Sequence, residues 1–185
     1  MNDIKFLTIA ELEKGLEYIR QSPKDHGFLE MLVRRPQTDE REEIESGQLD
    51  PSEGLVGDNW KSKGSSRTVD GSAHPEMQID IMNSRVISLL AQGRERWKLA
   101  GDQLFIDLDL SAENLPAGTM LAIGDAVLEI TPIPHAGCKK FAARFGQDAI
   151  VFVNSPLGKE LHLRGLNAKV IKPGVIGRGD IVSKL

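Results

Sequence analysis

Apolar and polar positions alternate with a period of two in several short windows of the chain. Met77, Ile79 and Ile81 alternate with Gln78 and Asp80, and Leu104, Ile106, Leu108 and Leu110 alternate with Phe105, Asp107 and Asp109. This is the pattern of half-buried strands. Leu121 and Ile123, a Gly124-Asp125 turn, and Val127, Leu128 and Ile130 read as a hairpin, which Pro132 and Pro134 end because neither can donate to a ladder. Residues 28–34 read as a strand closed by Pro36. Residues 161–166 and 168–171 read as two more on either side of a bend at Gly165, Leu166 and Asn167, and a last strand starts at Ile181 after a Gly179-Asp180 turn.

A longer period marks the helices. Thr8 and Glu11 have the spacing of a capping box, and Ile9, Leu12, Leu16 and Ile19 follow at helical intervals until Pro23, which predicts a helix over 8–21. Asn83 predicts a cap for a helix through Val86, Ile87, Leu89 and Leu90 that ends at Gly93, with a second helical piece over 94–99. A short helix is expected over 138–145, with Phe141 and Phe145 on one face and Gly146 closing it. Residues 39–53 and 148–153 remain open between strand and other structure. Residues 54–76 have no periodicity and read as a long loop of the kind that forms lids or binding sites.

Seven or more short strands with few helices predict a mainly β fold, a closed or nearly closed β-barrel that leaves few free edges. The expected organisation is an N-terminal helix and strands over 1–53 packing on a barrel domain over 54–185. Eighteen glycines and nine prolines in 185 residues agree with so many turns, and 40% hydrophobic and 27% charged content is that of an ordinary soluble globular protein. No run has the length of a membrane span, and the N-terminal segment has no secretory pattern. A single cysteine permits no internal disulfide, so a cytoplasmic location is expected.

The net charge of −4 hides a segregation. Residues 39–53 hold seven acidic side chains and one arginine, whereas 138–172 hold seven basic and two acidic ones. A basic tract around the only cysteine, Cys138, suits an anionic ligand, while a solvated face is the ordinary alternative. Nucleic acid is not an expected partner of an acidic chain without a binding motif.

Cys138 is placed in the first turn of its predicted helix beside Lys139, Lys140 and Arg144. A helix N-terminus and nearby cations both favour thiolate over thiol, which makes Cys138 a candidate ligand or nucleophile. Against this stands the tendency of free cysteine to pack in cores. Lys61, Lys63 and Arg67 alternate with small residues in the 54–76 loop and are candidates to close over an anion. A Cys-His-Asn hydrolase would draw on Cys138, His135 or His162, and Asn154 or Asn167, although nothing in the spacing favours it. One cysteine and scattered histidines are a poor supply for structural zinc. Asp107 and Asp109 share a strand face and could act as acids, or simply form its polar side. What composition and spacing leave is one thiolate in a basic, loop-rimmed site, which suits a soft or redox-active metal or sulfur transfer.

The order of elements over 77–182 resembles the MOSC domain, the C-terminal domain of molybdenum-cofactor sulfurases and of small stand-alone bacterial relatives. The resemblance is carried by MQIDIMNSRVISLLA (77–91), AGDQLFIDLDL (100–110), LAIGDAVLEITPIP (121–134), HAGCKKF (135–141) and GRGDIV (177–182), with GLVGDNW (54–60) preceding them. It implies a barrel of the pyruvate-kinase-insert type and a role in molybdenum-cofactor or sulfur chemistry. Cys138 matches the position that ligates molybdenum or carries a persulfide, and His135 stands beside it as a catalytic candidate. Lys61, Lys63, Arg67, Lys139, Lys140, Arg144 and Asn154 are the candidates to hold the anionic molybdopterin. Reduction of N-hydroxylated compounds is the activity it implies, with an electron-donor protein or a sulfur donor as partner. A metal-free sulfur carrier and a non-catalytic binding barrel are the alternatives. Pyridoxal phosphate is not expected, because the half of the sulfurases that binds it has no counterpart here.

Overall fold

In a computed structural model of the chain, residues 5–185 are described. Three strands are buried on both faces, and they explain where the hydrophobic pattern stops alternating. Strands β1 (Gly27–Arg34), β5 (Ile79–Asn83) and β6 (Leu104–Asp107) lie side by side, with β5 and β6 parallel. Leu29, Leu32, Ile79, Ile81, Leu104 and Ile106 belong to one core cluster, whereas Met31, Val33, Met82 and Phe105 belong to a second. A bulge between Leu29 and Met31 lets β1 feed both. A strand with apolar groups on each face has helices on one side and barrel interior on the other.

The barrel closes. The order β11 (Ile181–Lys184), β7 (Met120–Ile123), β8 (Ala126–Ile130), β9 (Leu166–Lys172), β5, β6, β1 returns to β11 through the pairs Gly27 with Val182 and Phe28 with Ile181. Strand β2 (Glu42–Ile44) adds to β1 outside this ring. A small sheet of β10 (Gly174–Gly177), β3 (Ser46–Asp50) and β4 (Gly54–Leu55) supplies Leu49, Leu55 and Ile176 to the interior. The mainly β, closed-barrel expectation therefore holds. Because β1 is one of its staves, the barrel draws on residues from both sides of position 53.

Helices cover one flank. The capping box forms as expected, Thr8 accepting from the Glu11 amide, but the helix breaks at Gly15 into α1 (Ile9–Lys14) and α2 (Leu16–Arg20). A Cβ on Gly15 would run into Leu89, which explains the close approach at that break. Asn83 caps α4 (Ser84–Ala91) through the amides of Arg85 and Val86, and Gln92, not Gly93, takes the left-handed position after it. A 3-10 turn (Arg94–Ala100) follows. The open stretch 148–153 is helical, α6 (Gln147–Asn154), and α7 (Pro156–Glu160) begins on a Ser155 cap. Residues 161–164 form a turn, so the strand expected there starts only at Leu166. Within 54–76 a short helix, α3 (Trp60–Lys63), interrupts the loop. No helix among the described residues is long and apolar enough to cross a membrane.

Candidate functional site

The chain leaves β8 at Ile130 and crosses the barrel rim through Pro132 and Pro134 to reach α5 (Lys139–Phe145). Asn154 at the end of α6 fixes this crossing. Its Oδ1 accepts from the Gly137 amide at 2.9 Å and its Nδ2 donates to the Gly137 carbonyl at 3.2 Å. Phe141 and Phe145 are both buried, with ring centroids 4.9 Å apart, and they hold α5 against the helical core. Cys138 is the N-cap of α5 and so stands just ahead of the first turn where it was expected. It is exposed, with no side-chain capping bond, which removes the packed-thiol alternative.

Behind Cys138 lies a buried network of charges. The Arg35 guanidinium donates to Asp58 at 2.9 Å through both Nε and Nη2, and through Nη1 to Asp80 at 2.9 Å and to the Gly101 carbonyl at 2.8 Å. Arg164 Nη1 donates to both oxygens of Asp102, at 2.9 and 2.8 Å. Asp58 and Asp102 have no exposed side-chain surface. Burial alone would raise the Asp80 carboxyl, but His135, Arg35 and Arg164 outweigh it and hold Asp80 below its ordinary range. His135 Nδ1 lies 3.6 Å from Asp102 and 4.0 Å from Asp80, and it is buried without a hydrogen-bond partner among the described residues. Burial, aided by Arg164 and Arg35 against the two aspartates, pushes its imidazole below the usual 6.5.

This arrangement has a pH consequence. The unfolded chain takes up the His135 proton as pH falls through 6.5 while the folded chain does not, so stability declines with acid below that point. Asp80 adds a further loss at lower pH, as acid titrates it through its depressed folded value. His135→Gln is expected to flatten the stability profile between about pH 7 and about pH 5, read by urea unfolding. An unchanged slope over that range would assign the loss to other groups.

The network forms one wall of a cavity of about 220 Å³ whose rim carries Cys138. Lining it are Arg35, Arg41, Lys63, Lys140, Arg144 and Arg164, against the acidic Asp39, Glu40 and Asp80. The cations crowd one another: burial and the neighbouring Arg144 push the Arg41 guanidinium below its ordinary value, and Arg41 Nε is buried without an acceptor among the described residues. Asp39, an exposed carboxylate at a positive φ of 65°, sits beside two of them, 3.2 Å from Lys140 and 3.4 Å from Arg144. The Lys140 hydrogen bond holds its carboxyl below the usual range. An arriving anion competes with it. Asp39→Asn is expected to tighten inorganic phosphate binding about two- to fivefold, measured by calorimetry, the scale of an exposed ion pair. Equal or weaker binding would mean that Asp39 does not occupy the anion position.

Of the side chains predicted from sequence, Lys63, Lys140 and Arg144 meet Cys138 at this cavity. Lys61 pairs with Glu53 instead, and Arg67 and Lys139 are exposed and do not line it. His135 and Asn154 line a neighbouring cavity. The asparagines of a Cys-His-Asn arrangement serve the backbone, Asn154 on Gly137 and Asn167 on the Ile133 carbonyl. Asp107 is paired with Arg85, and Asp109 accepts from the Ser111 amide, so neither is a free acid. Arg35, Arg41, Asp58, Asp80 and Asp102 were not singled out. Among the described residues no three His, Cys, Asp or Glu side chains are grouped to hold a metal ion.

The chain is thus a closed mixed β-barrel with a helical flank and an exposed thiol at the mouth of a basic cavity. No family model matches the sequence, and no curated protein matches it. Solved structures do share the fold. The YuaD protein from Bacillus subtilis superposes with a TM-score of 0.58 at 16% identity, over 84% of this chain and 93% of that one. YiiM from Escherichia coli gives 0.55 at 18% identity, over 85% and 69%. YiiM from Geobacillus stearothermophilus gives 0.52 at 12% identity, over 89% and 74%.

Proposed function

We propose that the chain is a MOSC-type protein that binds a molybdopterin-class cofactor through the Cys138 thiolate. The observation that carries this reading is the placement of an exposed thiol on a cavity lined by six cations. The sequence resemblance over 77–182 and the fold shared with YuaD and YiiM support it.

The side chains present fit such a group. With no cluster of protein ligands among the described residues, a metal here would arrive with ligands of its own and need one soft donor, which Cys138 offers. Lys140, Arg144 and Arg41 are placed to hold an anionic head, and the orphaned Arg41 Nε is a donor awaiting an acceptor. When bound, the group would supply redox chemistry, for which N-hydroxylated compounds are the substrate class the resemblance implies. The Arg35–Asp58–Asp80 ion pairs fix the cavity wall, and the Asn154 clamp on Gly137 fixes the approach to Cys138. His135 Nδ1, beside Asp80 and Asp102, would take up a proton only under acid, since burial disfavours its charged form.

Protein from a cofactor-competent host is expected to carry near-stoichiometric molybdenum, and Cys138→Ser to carry little. Full retention in the variant would remove Cys138 as the ligand. Absence of metal from both would leave the second reading, a sulfur carrier with a persulfide on Cys138, which the exposure of that thiol favours. Incubation with a cysteine desulfurase and cysteine should then add about 32 Da to Cys138, the mass of one sulfur atom.

A further inference from the structure

On the other side of the 132–138 crossing lies a second and larger cavity, of about 550 Å³, within the usual size range of small-molecule sites. Its walls are apolar and stiff. Leu115, Ile130 and Leu166 are buried, and Pro116, Pro132 and Pro134 bring rings but no amide donors. Among the described residues every ionisable side chain on its lining is of a basic type: His135, Lys159, His162 and Arg164, with no carboxylate.

One buried donor there has no partner among the described residues. Arg164 has only 8% of its side chain exposed, and its Nε is buried without an acceptor among the described residues although both of its terminal nitrogens are engaged. His135 Nδ1 has no hydrogen-bond partner among the described residues either, but it lies 3.6 Å from Asp102 and 4.0 Å from Asp80 and so belongs to the charge network. His162, held at a positive φ of 47°, donates its Nδ1–H to the Leu110 carbonyl. Buried polar groups in folded proteins are almost always satisfied, so an orphaned donor beside an apolar cavity marks a place for a ligand. Thr131 and Asn154 also line the cavity, but their side chains serve backbone groups, leaving the basic residues to set the polarity.

We propose that this cavity is a binding site for a small monoanion with a compact apolar body, of the aromatic carboxylate class. The body fills the space between Leu115, Pro132 and Leu166, and the carboxylate meets the basic end at Arg164, with Lys159 at the more exposed side. The site stands apart from the Cys138 cavity and needs no cofactor. Arg164 borders both cavities, so a ligand here touches the wall that the thiol cavity uses.

The test is calorimetric titration of the purified full-length chain with cinnamate, its neutral counterpart cinnamamide, and inorganic phosphate. Cinnamate is expected to bind saturably and about tenfold or more tighter than cinnamamide, the size of a hydrogen bond to a charged group. Ala117→Phe, at an exposed lining position, should abolish binding while leaving the unfolding midpoint in place, and Lys159→Gln should weaken it severalfold. Cys138→Ser should bind as the parent does, so failure of the cofactor reading leaves this result untouched. Three outcomes overturn the proposal: no binding of cinnamate, equal binding of acid and amide, or binding that survives Ala117→Phe. Phosphate binding as tightly as cinnamate in competition would also overturn it, because the apolar body would then contribute nothing.

Discussion

Arg164→Met is expected to lower the free energy of unfolding by about 3–5 kcal/mol, seen as a shift of the urea midpoint at unchanged slope. Methionine keeps much of the volume, so the loss is electrostatic in origin. It leaves Asp102, with no exposed side-chain surface, without the two charge-assisted bonds from Nη1 at 2.9 and 2.8 Å. A carboxylate left alone in that setting must keep an uncompensated charge or take up a proton, and both are costly. The Ala100 carbonyl also loses its bond from Nη2 at 3.2 Å, and Phe141 loses the guanidinium stacked 4.8 Å from its centroid. The double variant Asp102→Leu with Arg164→Met removes both charges and should recover much of the loss, because replacing a buried pair by apolar groups is often near neutral. A single variant that costs less than about 1 kcal/mol would mean that Asp102 finds another partner or water.

That pair also shows where the sequence stops being informative. Arg164 and Asp102 are 62 positions apart, and Arg35 joins residues 23, 45 and 66 positions away. Such pairings leave no local period or spacing. Arg35 reads only as the second arginine before a proline, and Asp102 as a polar residue ahead of a strand. The barrel was legible because its signals are local: the Gly124-Asp125 turn sets the register of β7 on β8, and Asn83 announces α4. Residues 161–166 misled because Leu161 and Leu163 alternate like a strand, although Leu163 packs into the helical cluster from a turn. Cys138 stands out in the sequence because it is unique and lies beside lysines. The cations that meet it from Arg35, Arg41 and Arg164 come from across the fold.

Phe141→Ala is expected to cost about 3–5 kcal/mol and to weaken phosphate binding at the Cys138 cavity as well. The ring is 1% exposed, packs 4.9 Å from Phe145 and carries Arg164 on its face, so its removal opens a void on both sides. Its place three residues after Cys138 links this loss to the site. α5 carries Lys140 and Arg144 as well as its cap Cys138, and buried Phe141 and Phe145 seat that helix on the core. Once the ring is gone, α5 can shift relative to the Arg35 and Arg164 wall, and cations drawn from different elements no longer converge. Phe141→Leu keeps more of the volume and should recover most of the stability and of the anion affinity together. The two readouts should fall and recover in step. Stability lost with phosphate affinity unchanged would show that the cavity does not depend on the seating of α5.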